Sequence, residues 1–201
     1  MKYQYPLNLR FKLIALAPRI TVTDANGQEL LYVHQKTLAF KEDVKIYSDS
    51  SKSQQLYRIR ADRVIDFSAQ YNFTDGNDQP FGSIKHKGFR SIWKATYLLM
   101  DADGQQTHHI SEGNPWVKIA DMLLGEIPIV GLFSGYLFHP TYFLYDSENE
   151  QPVFQLTKHP AFFEATFEIA PLEGAAQLSR TQEERLLLGL LMMVQLERSR
   201  G

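Results

Sequence analysis

Apolar and polar positions alternate along most of the chain. In Phe67-Ser68-Ala69-Gln70-Tyr71-Asn72-Phe73 every odd position is apolar and every even one polar, the period-two pattern of a half-buried strand. Trp93, Ala95, Tyr97 and Leu99 form a similar row. So do Phe163, Ala165, Phe167 and Ile169, with Glu164, Thr166 and Glu168 turned the other way. Shorter alternating runs cover Val44 to Tyr47, Leu56 to Arg60 and Val153 to Thr157, and further strands are expected at Leu9 to Leu16, Ile20 to Thr23 and Leu30 to Gln35. About ten to twelve strands result, too many for one open sheet of comfortable twist, which predicts a closed barrel or a sandwich.

Five aspartates punctuate this pattern. Asp24, Asp49, Asp75, Asp101 and Asp146 close strand-like segments at steps of 25, 26, 26 and 45 residues. Each is followed four to six positions later by a glutamine (Gln28, Gln55, Gln79, Gln105, Gln151) that opens the next apolar run. Asp and Gly at such places make turns, because they tolerate left-handed backbone and Asp bonds to its own chain. A unit of about 25 residues holds two strands and two turns, so the ladder reads as repeated strand pairs. The long step has an identifiable excess. Asn114-Pro115-Trp116 resembles a cap followed by a first-turn proline, and Gly125 a stop. Between them Trp116, Ile119, Met122 and Leu123 share a helical face. One short helix is therefore expected near 115–124.

The pattern changes after Pro171-Leu172-Glu173-Gly174. Thr181 to Glu184 has the T-x-x-E form of a capping box, with Glu183 and Glu184 at the positive end of the following helix and Arg198 and Arg200 at its negative end. Leu186 to Leu196 holds nine large apolar residues, interrupted only by Gly189 and Gln195. A helix over about 182–198 is expected, apolar on every face and so surrounded by lipid or protein. Eleven residues span about 16 Å, roughly half of a bilayer core of about 30 Å. Protein is the better surrounding. A barrel of strand pairs needs a filling, and this helix needs a wall.

Composition narrows the chemistry. The chain has 201 residues, a formal net charge of -2 and no cysteine. One domain over residues 1–201 is expected. The charge gives no global pull towards nucleic acid or anionic membrane, so such a partner needs a local patch. Disulfides, thiolate catalysis and thiolate metal sites are excluded. Residues Met1 to Arg10 lack the pattern of a cleaved signal peptide, and a cytoplasmic protein is expected.

Several segments together resemble the tubby C-terminal-like superfamily, and within it the LURP-one-related and phospholipid-scramblase-like branch. They are Tyr32-Val33-His34-Gln35-Lys36, Gly82-Ser83-Ile84-Lys85-His86-Lys87, Arg90-Ser91-Ile92-Trp93-Lys94-Ala95-Thr96-Tyr97 and Asp101-Ala102-Asp103-Gly104, with strand pairs closed by Asp-x-x-Gly turns and a terminal apolar helix. The resemblance runs from about Leu9 to Arg200. It implies a mainly β fold: a closed antiparallel barrel of about twelve strands threaded by the hydrophobic C-terminal helix. It also implies a non-enzymatic module, with roles ranging from phosphoinositide-tethered regulation to proposed lipid movement. The scramblase cysteine stretch is missing, and the terminal helix is short for membrane insertion. Calcium at the Asp101 turn is disfavoured, because Gln105 and the absence of a following glycine break the EF-hand pattern.

Candidate ligand residues are the basic pairs on strand faces. Arg58 and Arg60 alternate with Tyr57 and Ile59, so both project from one outer face. Lys85 and Lys87 do so one repeat later, with Arg63 and Arg90 nearby in sequence. Two such pairs could clamp an anionic phospholipid headgroup, Arg by bidentate bonds and Lys as a point charge. The ordinary alternative is that all four are solubilising charges, the commoner use of such surfaces. Ile127 to Tyr145, nearly free of charge, reads as a loop feeding a buried strand pair, since Pro128, Gly131, Gly135 and Pro140 break a spanning helix. No transmembrane span is expected. His108 and His109 point to opposite faces of a strand and cannot chelate together. His34, His86, His139 and His159 have no ligand spacing. Ser134 lacks a nucleophile elbow, and no Walker loop or dinucleotide fingerprint occurs. No catalytic residue, metal or cofactor is expected. Three functions remain: a headgroup-binding module at the membrane periphery, a protein-interaction scaffold without lipid, and a barrel carrier of a small apolar ligand. Nucleic acid is not expected as a partner.

Overall fold

The computed structural model describes residues 2–12, 19–34, 43–63, 69–87, 96–113, 141–159 and 164–198. The alternating runs form twelve strands: β1 (Leu7–Lys12), β2 (Arg19–Thr23), β3 (Glu29–His34), β4 (Asp43–Tyr47), β5 (Gln55–Ala61), β6 (Gln70–Asp75), β7 (Pro80–His86), β8 (Thr96–Met100), β9 (Gln106–Glu112), β10 (Thr141–Asp146), β11 (Pro152–His159) and β12 (Glu164–Pro171). Each pairs antiparallel with its sequence neighbour. The register from Leu7↔Ile169 to Lys12↔Glu164 joins β1 to β12 and closes the barrel.

The aspartate ladder is the turn chemistry of one end of this barrel. Asp24 Oδ1 accepts the backbone N–H groups of Asn26 and Gln28, both at 2.9 Å, while Gly27 N–H donates to Asp24 O. Asp75 and Asp101 repeat the arrangement with Asn77 and Gln79, and with Asp103 and Gln105. Asp49 and Asp146 hold their turns through Ser51 N–H and Glu148 N–H. In each turn one residue is left-handed: Gly27, Lys52, Asp78, Gly104 and Glu150, at φ between 57° and 80°. The extra left-handed residue forces a bulge, and the register shifts beside every one of the five turns. The glutamine therefore serves through its backbone: Asp N–H donates to Gln O in four of the five turns.

One helix, α1 (Arg180–Arg198), fills the barrel, entered through a short 3-10 turn at Glu173–Gln177 that the sequence pattern did not announce. Every residue from Leu186 to Leu196 is buried, as are the inward rows such as Leu7 and Leu9 of β1 and Tyr97 and Leu99 of β8. A buried aliphatic or aromatic side chain contributes about 1.5–3 kcal/mol, so the helix and its wall depend on each other. The capping box differs from expectation. Ser179 Oγ accepts Gln182 N–H at 3.3 Å and Gln182 Oε1 accepts Ser179 N–H at 2.9 Å, so the pair is Ser179–Gln182, not Thr181–Glu184. The helix starts earlier, and Glu183 and Glu184 take partners from elsewhere in the fold. The short helix expected near 115–124 lies outside the described residues.

Candidate functional site

On the outer surface the strand register settles which basic residues meet. Arg58 and Arg60 share the outer face of β5, since Ile59 between them is fully buried against Val44 and Phe73. Their environments differ. Arg58 Nε and Nη2 each lie 2.6 Å from an oxygen of Asp43 on β4, a bidentate pair. That contact holds the guanidinium pKa above its ordinary value. Arg60 is exposed and makes no ion pair among the described residues. Lys85 is half-buried on β7 and Lys87 exposed just beyond it, also without an ion pair there. Strand β6 separates the two pairs, with Arg60 opposite Asn72 and Gln70 opposite Lys85. Arg63 bonds to Asp62 at 3.2 Å, and Arg90 lies outside the described residues.

Beside this basic face runs a groove of about 250 Å³, lined by Asn72 and Thr74 of β6, Ser83 of β7, and Asp101 and Gly104 of the β8–β9 turn. Gln70 Nε2 donates to Asn72 Oδ1 at 2.9 Å, leaving the Asn72 amide hydrogens for a guest. The floor offers donors and acceptors, with positive charge from Arg60 and Lys85 to either side and the Asp101 side chain on its lining.

The interior carries a second constellation that sequence reasoning did not find. Glu183 is fully buried. Its carboxylate accepts the backbone N–H of Lys2 and of Tyr3 and the Tyr5 hydroxyl, the last at 2.9 Å. Glu184 accepts Lys2 Nζ, Tyr57 Oη at 2.6 Å and Arg180 Nε at 3.3 Å. Burial raises the Glu184 carboxyl, but the bonds from Lys2 and Tyr57 outweigh it and hold the group below its ordinary value. The Tyr5 and Tyr57 hydroxyls are pushed well above theirs, by burial first and by the neighbouring carboxylates second. Residues 2–5 are thereby pinned across the entry of α1. Two adjacent acids opening an apolar helix were the available signal, read from the helix dipole alone.

Deeper inside, Arg185 donates from Nε to Phe81 O at 2.7 Å and lies over the Phe81 ring. Gly82 makes room for it, because a β-carbon there would stand 2.8 Å from Arg185 Cδ. His108 faces inward and is buried, and neither ring nitrogen has a hydrogen-bond partner among the described residues. Burial lowers its pKa. His109 points outward as expected and stacks on Tyr145 with centroids 5.3 Å apart. Phe143 follows at 6.2 Å from Tyr145. This outward aromatic row was also missed, though Tyr142-Phe143-Leu144-Tyr145 is apolar on both faces. No cluster of three His, Asp or Glu able to hold a metal occurs among the described residues. Ser134 lies outside them.

A twelve-stranded antiparallel barrel enclosing a C-terminal helix is a tubby-like architecture. The sequence model of the LURP-one-related family matches residues 29–185, and the chain belongs to that family. No curated protein matches the chain. Among the described residues no helix is long and apolar enough to cross a membrane.

Proposed function

We propose that the chain is a non-enzymatic, cytoplasmic binding module that docks peripherally on anionic phospholipid headgroups. The observation that carries this reading is the set of cations Arg60, Lys85 and Lys87, none ion-paired among the described residues, around the hydrogen-bonding outer face of β6. Arg58 belongs to the face but has its charge offset by Asp43, so it orients β5 more than it attracts an anion. Each free cation near an anionic bilayer contributes about 1 kcal/mol, and three give about a hundredfold in affinity. The helix-filled interior argues against the carrier of an apolar ligand.

Vesicle co-sedimentation tests the reading. Charge reversal at Arg60, Lys85 and Lys87 together abolishes binding to anionic vesicles, whereas Arg58→Gln changes it by about twofold or less. Equal binding to neutral and anionic vesicles, unaltered by the triple reversal, rules the lipid role out. It would leave the protein-interaction scaffold as the account of this face.

A further inference from the structure

The outer face carries more than charge. Across β7, β8, β9 and β10 one row runs Lys85, Leu98, His109, Tyr145. The next runs Lys87, Thr96, Ser111, Phe143, with Lys87 N–H donating to Thr96 O at 2.9 Å. A strand with water on its outer side keeps polar residues there. Strand β10 does not: Tyr142 and Leu144 are buried inward, while Phe143 and Tyr145 stand half-buried outside. Phe143 lies flat enough on the sheet that a β-carbon at Gly113 would come within 2.9 Å of its ring. The rings of Phe143, Tyr145 and His109 thus pack on one another and on their own wall.

We infer that this face of β7 to β10 is a bilayer-contact surface, on which the barrel lies on its side with the lysines at lipid phosphates and the aromatic rings at the interfacial layer. The inference rests on the headgroup reading above and extends it by naming the lipid-facing wall and a second, apolar component. Aromatic side chains with an apolar body and a polar tip suit that layer. Three of the twelve inter-strand steps separate β7 from β10, a quarter of the circumference, shallow enough for long lysines and bulky rings to reach one plane. Lys85 and Lys87 select an anionic surface by charge, and a soluble headgroup would have no use for the aromatic rows three strands away. Glu150, 3.6 Å from His109, sits at the turn edge of the patch and is largely exposed.

The absence of cysteine allows a clean test on the full chain. Ser111→Cys on β9 sits between the two chemistries, and Thr21→Cys on β2 lies on the far side of the barrel. Each is labelled with an environment-sensitive fluorophore and titrated with phosphatidylcholine vesicles with or without phosphatidylserine. The expected result is a blue shift at position 111 and none at 21, only with phosphatidylserine. Phe143→Ser with Tyr145→Ser, checked for an intact melting transition, weakens binding about tenfold and leaves its salt dependence unchanged. Lys85→Glu with Lys87→Glu flattens the salt dependence. Vesicle binding that needs the lysines but gives no shift at 111 overturns this inference and spares the headgroup reading. Absence of vesicle binding overturns both. A shift at 111 that follows protein concentration without lipid overturns the inference in favour of a second copy on this face.

Discussion

Gly189 of α1 faces Leu99 of β8 so closely that a β-carbon on the glycine would stand 2.1 Å from Leu99 Cδ2. Leu99 is fully buried and has no room to withdraw. On an exposed helix Gly→Ala gains about 1 kcal/mol. Here the overpacking wins, and Gly189→Ala is expected to destabilise by about 1–3 kcal/mol. Leu99→Ala alone leaves a cavity and costs about 2–5 kcal/mol. The double variant should be more stable than the sum of the two losses predicts. Urea denaturation of all four proteins measures the coupling, and additive losses would show that the two residues are not in contact.

The clamp at the helix entry makes a second prediction. Glu183 is fully buried and served by two backbone N–H groups and the Tyr5 hydroxyl. Leaving a buried acceptor one donor short costs about 1–3 kcal/mol, the range expected for Tyr5→Phe. Glu183→Leu costs at least as much, because it strands the donors of Lys2 and Tyr3. Hydrogen exchange should then rise first at residues 2–5 and in the first turn of α1. Uniform loss of protection across the barrel would contradict this localised role.

The turn ladder predicts opposite effects from apparently similar changes. Lys52 and Glu150 hold left-handed backbone at φ 59° and 57°, as Gly27 and Gly104 do at 80° and 79°. A side chain in that region costs about 1–2 kcal/mol relative to glycine. Lys52→Gly and Glu150→Gly should each stabilise by about 1 kcal/mol, less some backbone entropy. Gly104→Ala meets no atom within 4 Å, so it should destabilise by about 1 kcal/mol through φ alone. Melting temperatures of the three variants decide the matter. A stabilising Gly104→Ala would be incompatible with this turn geometry.

The turns and the barrel with its central helix were legible because their causes are local. An aspartate bonding two and four residues ahead leaves its trace in the sequence, as does a run of nine apolar residues with no polar side. What stayed hidden depends on distant partners. Glu183 and Glu184 meet residues 2–5 from about 180 positions away. Arg58 looked equivalent to Arg60, but Asp43, set directly across from Arg60 in the β4–β5 register, reaches diagonally to bond Arg58. The capping box was displaced by two residues because S-x-x-Q and T-x-x-E overlap at Ser179 to Glu184. Local grammar permits either, and the choice fell to the one that frees both acids for the N-terminal segment.

His108 gives the pH dependence its sign. Its imidazole is buried beside Leu99, with Arg185 and its sequence neighbour His109 opposing protonation and Asp146 favouring it. Burial dominates and the folded pKa lies below the model-peptide value of 6.5. The unfolded chain therefore binds more protons than the folded one just below that pH. Stability is whole above about pH 6.5 and declines as pH falls towards the folded pKa, where the loss levels off. Glu184 acts in a lower window, because its folded pKa lies below the ordinary 4.5. Its stabilisation is present above that value and is lost as pH falls through the depressed one. Between pH 7.5 and 5.5 the histidine effect should thus stand apart. His108→Gln, which stays neutral, should lower stability at pH 7.5 yet show a shallower decline to pH 5.5 than the parent. Parallel declines in denaturant midpoint for the two proteins would remove His108 as the source of acid sensitivity.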